Sequence, residues 1–155
     1  MNDNRQYILN EGEWVVAENT GEIACYGLGS CIGVFLYDKF SKIGAGAHIA
    51  LPGEVSKNKS DQIIDNMISA MLMRGTHRLT IRASIVGGAN ILNMPSYNIG
   101  ERNTSFIKEA LKKRGILIQI EDLRGKISRT AKFNIATGDL YINNIKQQQL
   151  RITNP

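Results

Sequence analysis

Ile23-Ala24-Cys25-Tyr26-Gly27-Leu28-Gly29-Ser30-Cys31-Ile32-Gly33-Val34-Phe35-Leu36-Tyr37 is the stretch whose reading decides this chain. Ile23 to Tyr26 reads as a strand entering a glycine turn, and Cys31 to Tyr37 as the strand or helical turn leaving it. Gly27 and Gly29, just ahead of a cysteine, let the backbone take conformations closed to other residues and let another group approach the main chain closely. A cysteine so placed is expected to be exposed. The thiolate is the nucleophilic form, and a thiol needs a base or a positive field to reach it near neutral pH. His48, close to the end of a later strand, is the candidate base. The plain alternative is that Cys31 is an ordinary core residue, as free cysteines commonly are.

Upstream of the turn, Tyr7 to Leu9 and Trp14 to Val16 read as short strands joined through Glu11-Gly12-Glu13, and Asn19-Thr20-Gly21-Glu22 is a turn by composition. Downstream, Asp38 to Ser41 is a polar turn. Ile43 to Leu51, with the small residues Gly44, Ala45 and Gly46, reads as a buried strand ending at Pro52. In pleated geometry the His48 ring shares a face with Gly46 and Ala50, so little beside it blocks access. Gly53 to Lys59 is expected to be a basic loop, with Ser60 capping a helix whose stripe is Ile64, Met67, Ile68, Met71 and Leu72 and whose stop is Arg74-Gly75. That methionine-rich stripe is read as core packing.

Leu79, Ile81, Ala83 and Ile85 alternate with Thr80, Arg82 and Ser84, which predicts a strand ending at Gly87-Gly88-Ala89-Asn90. Tyr97-Asn98-Ile99-Gly100 leads into a second helix, which carries Phe106, Ile107, Ala110 and Leu111 on its apolar face. Lys112-Lys113-Arg114-Gly115 closes it, with cations where the helix dipole favours them. Ile116 to Ile120, Ser128 to Ile135 and Leu140 to Ile145 complete the strands, and residues 146–155 are expected to form a frayed tail. The fold expected is therefore mixed α/β, with packed sheets and two main helices outside, in a single domain spanning residues 1–155.

The chain has 155 residues, 43% of them hydrophobic and 21% charged, which is a globular composition. The first 22 residues lack a signal-type apolar run and no later run approaches a membrane span, so a cytoplasmic protein with no membrane insertion is expected. Two cysteines, Cys25 and Cys31, are too few for a disulfide framework. The net charge of +5 is uneven: up to Pro52 there are three Lys/Arg against six Asp/Glu, and beyond it sixteen against eight. Nucleic acid is the least favoured partner for that basic half, because aromatic residues make up only 6% and no recognised module is present.

Taken in order, Gly27-Leu28-Gly29-Ser30-Cys31, Leu36-Tyr37-Asp38, Ala47-His48-Ile49-Ala50-Leu51-Pro52, Gly87-Gly88-Ala89, Asn98 to Asn103, and Phe133 to Leu140 containing Thr137-Gly138 resemble the CheD family, the chemoreceptor glutamine deamidases. The likeness runs from about Gly12 to Ile145. It implies a Cys/His site acting on glutamine side chains of methyl-accepting chemotaxis receptors, and binding to the CheC phosphatase. Carried over by position, the family's nucleophile falls on Cys31 and its histidine on His48. The family's third site residue, usually a threonine, falls on Cys25. Lys59 stands where a tyrosine is common, and Arg124-Gly125 where a glycine pair is common.

The resemblance implies thioester chemistry with His48 as proton carrier, and no metal or organic cofactor is expected. A basic surface made of Lys57, Lys59 and the stretch from Arg124 to Lys132 is expected to steer an acidic receptor helix. Three rival readings stand beside it. Cys25, Cys31 and His48 would supply three zinc ligands, though at an unusual spacing. Cys25 and Cys31 would form a redox pair. A non-catalytic adaptor would bind receptors or the phosphatase. His77 is read as a surface residue, while Arg102 and Asn103 are read either as helix-capping or as lining the site.

Overall fold

A computed structural model describes residues 5–51, 54–93 and 98–148. Ten strands form two five-stranded sheets. The first sheet has the order β1 (Gln6–Ile8), β3 (Glu22–Leu28), β8 (Arg129–Asn134), β9 (Leu140–Ile142) and β10 (Ile145–Lys146). The second has the order β2 (Trp14–Glu18), β5 (Ile43–Ile49), β4 (Ile32–Asp38), β6 (Arg82–Gly87) and β7 (Leu117–Leu123). Helices α1 (Glu54–Met73) and α2 (Ile99–Lys113) lie on the outer face of the second sheet. The expected class, packed sheets with two helices outside, is the observed one.

Strand β4 shows why the layers stack in this order. Ile32, Val34 and Leu36 point toward the helices and pack with Ile64, Met67, Met71, Ile107 and Leu111. Phe35 points the other way, into a second core with Ile23, Leu28, Phe133 and Leu140, where its ring stacks on Phe133 at 5.7 Å. Both faces are buried, so the strand reads as a continuous apolar run, and the choice left open for Cys31 to Tyr37 resolves to strand. Neighbouring β5 admits the first sheet closely because its inward positions are glycines. A Cβ on Gly46 would stand 2.6 Å from Ile23 Cγ2, and one on Gly44 2.7 Å from Ile135 Cδ1.

Four boundaries differ from expectation, each for a local reason. Helix α1 begins at Glu54, not Ser60: the polar run through Lys59 contains good helix formers and no breaker, and Ser60 lies one turn ahead of Ile64 on the buried stripe. The strand expected from Leu79 begins at Arg82, because Arg78–Thr80 is a short 3₁₀ turn with His77 as its cap and Leu79 is 77% exposed. Leu140 to Ile145 is a hairpin, broken at Asn143-Asn144 where both residues have positive φ (50° and 67°), the signature of a tight hairpin turn. Lys146 accordingly belongs to β10, and the rest of the expected tail beyond residue 148 lies outside the described residues, as do Pro52, Gly53 and Tyr97.

Candidate active site

Cys31 sits one residue before β4, at the end of a loop whose carbonyls are all tied down from one side. The Gly29 carbonyl accepts from the Ala89 N–H at 2.8 Å and the Cys31 carbonyl from the Gly88 N–H at 3.0 Å. The Ser30 carbonyl accepts from Asn103 Nδ2 at 2.7 Å. Gly87 makes this possible. Its φ is +121°, and a Cβ there would lie 2.1 Å from the Cys31 carbonyl oxygen, so no side chain fits. Asn103 is wholly buried on α2, whose cap is instead Asn98, accepting from the Glu101 N–H at 3.0 Å. The two readings of Asn103 thus resolve toward a brace for the cysteine loop.

His48 lies on β5 directly across from Gly33 of β4. Side chains at cross-strand partners share a face, so Cys31, two residues before Gly33, projects from the same side of the sheet as His48. The imidazole is 7% exposed, and its Nδ1 lies 3.0 Å from the Leu9 carbonyl. A carbonyl only accepts, so Nδ1 carries the proton and neutral His48 keeps a free lone pair on Nε2. The same N-terminal segment fixes the backbone: Gly12 N–H donates to the His48 carbonyl at 2.8 Å, and the His48 N–H donates to Glu13 at 3.1 Å.

Cys25 is fully buried on β3, its Sγ 3.6 Å from where a Gly33 Cβ would stand. It therefore lies over the residue facing His48, but makes no hydrogen bond to it. The ring is held by Leu9. Burial, and then the proximity of Cys31, push the Cys25 thiol up to about 12, so it stays protonated. Both cysteines are free thiols. Among the described residues no three His, Cys, Asp or Glu side chains are grouped to hold a metal ion.

Cys31 itself is half-buried rather than fully exposed, and its thiol donates to Glu11 Oε1 at 3.1 Å. Burial, then the hydrogen bond to the Glu11 carboxylate and its charge, push the Cys31 thiol up to about 12, against the opposing pull of its own N–H. Among the described residues no hydrogen bond joins Cys31 to His48. Glu11 is the participant that sequence reasoning missed. The sequence presents it as part of a turn, and only its position two residues beyond Leu9 hints that it reaches the same spot.

Beside Ser30 lies a small cleft of about 110 Å³, floored by Ala89 and Gly100 and rimmed by the exposed side chains of Ile91, Leu92 and Ile99. Of the basic stretch expected to steer a substrate, Arg124 is paired with Glu101 at 2.7 Å and Arg129 with Asp122 at 3.3 Å. Lys126 and Lys132 form no ion pair among the described residues.

Residues 54–144 match the family model described as CheD, CheD chemotactic sensory transduction; Cys31 and His48 precede that span. The chain is 33% identical over 143 residues to the chemoreceptor glutamine deamidase CheD of Thermotoga maritima, covering 89% of this chain and 91% of that one. It is 36% identical over 138 residues to the probable chemoreceptor glutamine deamidase CheD 1 of Methanosarcina acetivorans, covering 84% and 87%. Among solved structures, a Neisseria meningitidis protein of the DUF152 family superposes with a TM-score of 0.51 at 13% identity, covering 80% of this chain and 64% of that one, a likeness of fold. With the family model matching more than half of the chain and relatives aligned over most of it, this chain belongs to the CheD family.

Proposed function

We propose that this protein deamidates glutamine side chains of chemotaxis receptors to glutamate, in the cytoplasm, with Cys31 as nucleophile and His48 as proton carrier. The observation that carries the reading is the Leu9 carbonyl on His48 Nδ1, which leaves Nε2 as a base on the sheet face from which Cys31 projects. An incoming carboxamide displaces Glu11, an exposed side chain, from the thiol. The Cys31 proton passes to Nε2, and the thiolate attacks the carboxamide carbon. The oxyanion is met by N–H groups of the Ser30-Cys31 segment, a loop already fixed by its carbonyls. His48 returns the proton to the departing ammonia, leaving a thioester. Water, deprotonated by His48, then hydrolyses the thioester to glutamate and frees the thiol. The same steps would cleave a glutamyl methyl ester.

Substrate contact falls to the apolar rim of Ile91, Leu92 and Ile99 beside Ser30, which suits one face of a receptor helix. One observation favours a second reading, an adaptor that binds receptors or a CheC-type phosphatase without turnover: the Cys31 thiol rests on a carboxylate instead of a base. Incubation with a receptor cytoplasmic fragment, beside a Cys31→Ala control, separates the two. Gln-to-Glu conversion read by peptide mass spectrometry and lost in the control supports the deamidase. Binding without conversion establishes the adaptor.

A further inference from the structure

The far end of β4 opens a second site. Between the two sheets there is a cavity of about 270 Å³, with Tyr37 and Lys39 on one side, Arg82 and Ser84 on another, and Phe133 and Gly138 closing it. It begins where β4 ends, about seven residues from Cys31, or roughly 20 Å at strand rise. The Leu36-Tyr37-Asp38 and Thr137-Gly138 stretches, quoted above for the resemblance, both lie here and away from the thiol.

Three features mark the cavity as built for a ligand. Its aromatic wall is preset: the Tyr37 hydroxyl donates to the Ile135 carbonyl at 2.7 Å, and the ring packs on Phe133 at 5.1 Å. Polar groups lie in it unused. Ser84 is only 5% exposed, yet its hydroxyl has no hydrogen-bond partner among the described residues and lines the cavity. Gln119 is the extra residue of a β-bulge, where Ala83 pairs with Ile118 but Ser84 with Ile120, and its side chain lines the cavity with no hydrogen-bond partner among the described residues. Bulges re-aim side chains and are common at functional sites.

The cations are not neutralised, and Lys39 Nζ lies 5.2 Å from the centroid of the Phe40 ring, which also lines the cavity. Neither Lys39 nor Arg82 forms an ion pair among the described residues. Arg82 Nη1 is held by the Leu79 and Ile81 carbonyls at 2.9 and 3.0 Å, which positions the rest of its guanidinium. The nearby carboxylates are committed elsewhere: Asp38 accepts from the Phe40 N–H and the Ser41 hydroxyl, and Asp139 pairs with Lys146 at 3.4 Å.

We propose that this cavity binds a small organic anion, a carboxylate or phosphate carried on a flat ring. The ring lies against Tyr37 and Phe133, the anionic group meets Lys39 and Arg82, and Ser84 and Gln119 complete its hydrogen bonds. The size suits a ligand of about one to two rings. This binding is independent of the Cys31 chemistry.

Titrating phenyl phosphate and benzoate into the ¹⁵N-labelled full chain tests the assignment, with uncharged benzyl alcohol as control. The expected result is saturable shifts at the Lys39, Phe40, Gln119 and Gly138 amides, with the Gly29 to Cys31 amides unmoved. Affinity should fall about tenfold in Lys39→Gln, an exposed position outside both cores, and also in Ser84→Ala, with benzyl alcohol at least about tenfold weaker than either anion. Shifts that fail to saturate, that match those of benzyl alcohol, or that survive Lys39→Gln unchanged would overturn it.

Discussion

The two ends of β4 are made of different material. At the Cys31 end the work is done by main chain: three successive carbonyls are tied by Ala89, Asn103 and Gly88, and a fourth, from Leu9, orients His48. At the Tyr37 end it is done by side chains, with two cations, aromatic rings and polar groups that have no partner among the described residues around a cavity. Backbone ties fix position without adding charge, which suits the nucleophilic role proposed for Cys31, a role that needs the sulfur held within a few tenths of an ångström. Long cationic side chains tolerate variation in what they hold, which suits binding. The charge that contacts the thiol, on Glu11, opposes its ionisation.

The largest effect expected from breaking this contrast is at His48. His48→Gln keeps a side-chain donor for Leu9 but removes the base, so conversion of receptor glutamine should fall by about 10²–10⁴-fold. Lys39→Gln, at the other end, should leave the rate unchanged. Equal losses in both variants would show that the two ends are not separate.

Glu11→Gln comes next. The carboxylate raises the Cys31 pKa through its hydrogen bond and its charge, so removing it must lower that pKa from about 12, although burial, the larger cause, keeps it above the ordinary thiol value of 9.0. The midpoint of the iodoacetamide alkylation rate against pH should move down, and alkylation at pH 8 should speed up by about tenfold per unit moved. An unchanged midpoint would mean that Glu11 does not rest on the thiol in solution.

Glycine replacements test the rigidity of each end. Gly87→Ala places a Cβ 2.1 Å from a fixed backbone oxygen at φ +121°, whereas Gly138→Ala at φ +77° meets the edge of the Tyr37 ring at 2.7 Å. A ring can shift, and a carbonyl held in a ladder cannot. Urea unfolding should show a loss of about 3 kcal/mol or more for the first and about 1–2 kcal/mol for the second. The smallest effect is expected at Cys25→Thr, no more than about threefold in rate, because the Leu9 carbonyl already orients the imidazole.

Cys31 and His48 could be singled out from sequence because each stands at a visible discontinuity, a glycine turn and a strand end. What holds them could not. The partner of the Gly29 carbonyl is 60 residues away and that of the Ser30 carbonyl 73, and no local period records such pairings. Ser60 misled for a related reason: a serine ahead of an apolar stripe is a cap when exposed, and part of the stripe when a sheet covers it, as β5 and β2 do for α1. Leu79 continued the alternation of the strand after it, but an arginine turn intervened and left it in solvent.

The segment from Leu9 to Glu13 reaches both side chains of the thiol site. Leu9 tethers the imidazole, Glu11 lids the sulfur, and Gly12 and Glu13 clamp the backbone of His48. A peptidase cutting just after Glu13 would leave Cys31, His48 and the helix-side core in the remaining body, yet the imidazole would lose its tautomer and the thiol its cover. The amino-terminal edge is in that sense a detachable half of the candidate site, and a protease that trimmed it would unsettle both proposed catalytic side chains without touching either.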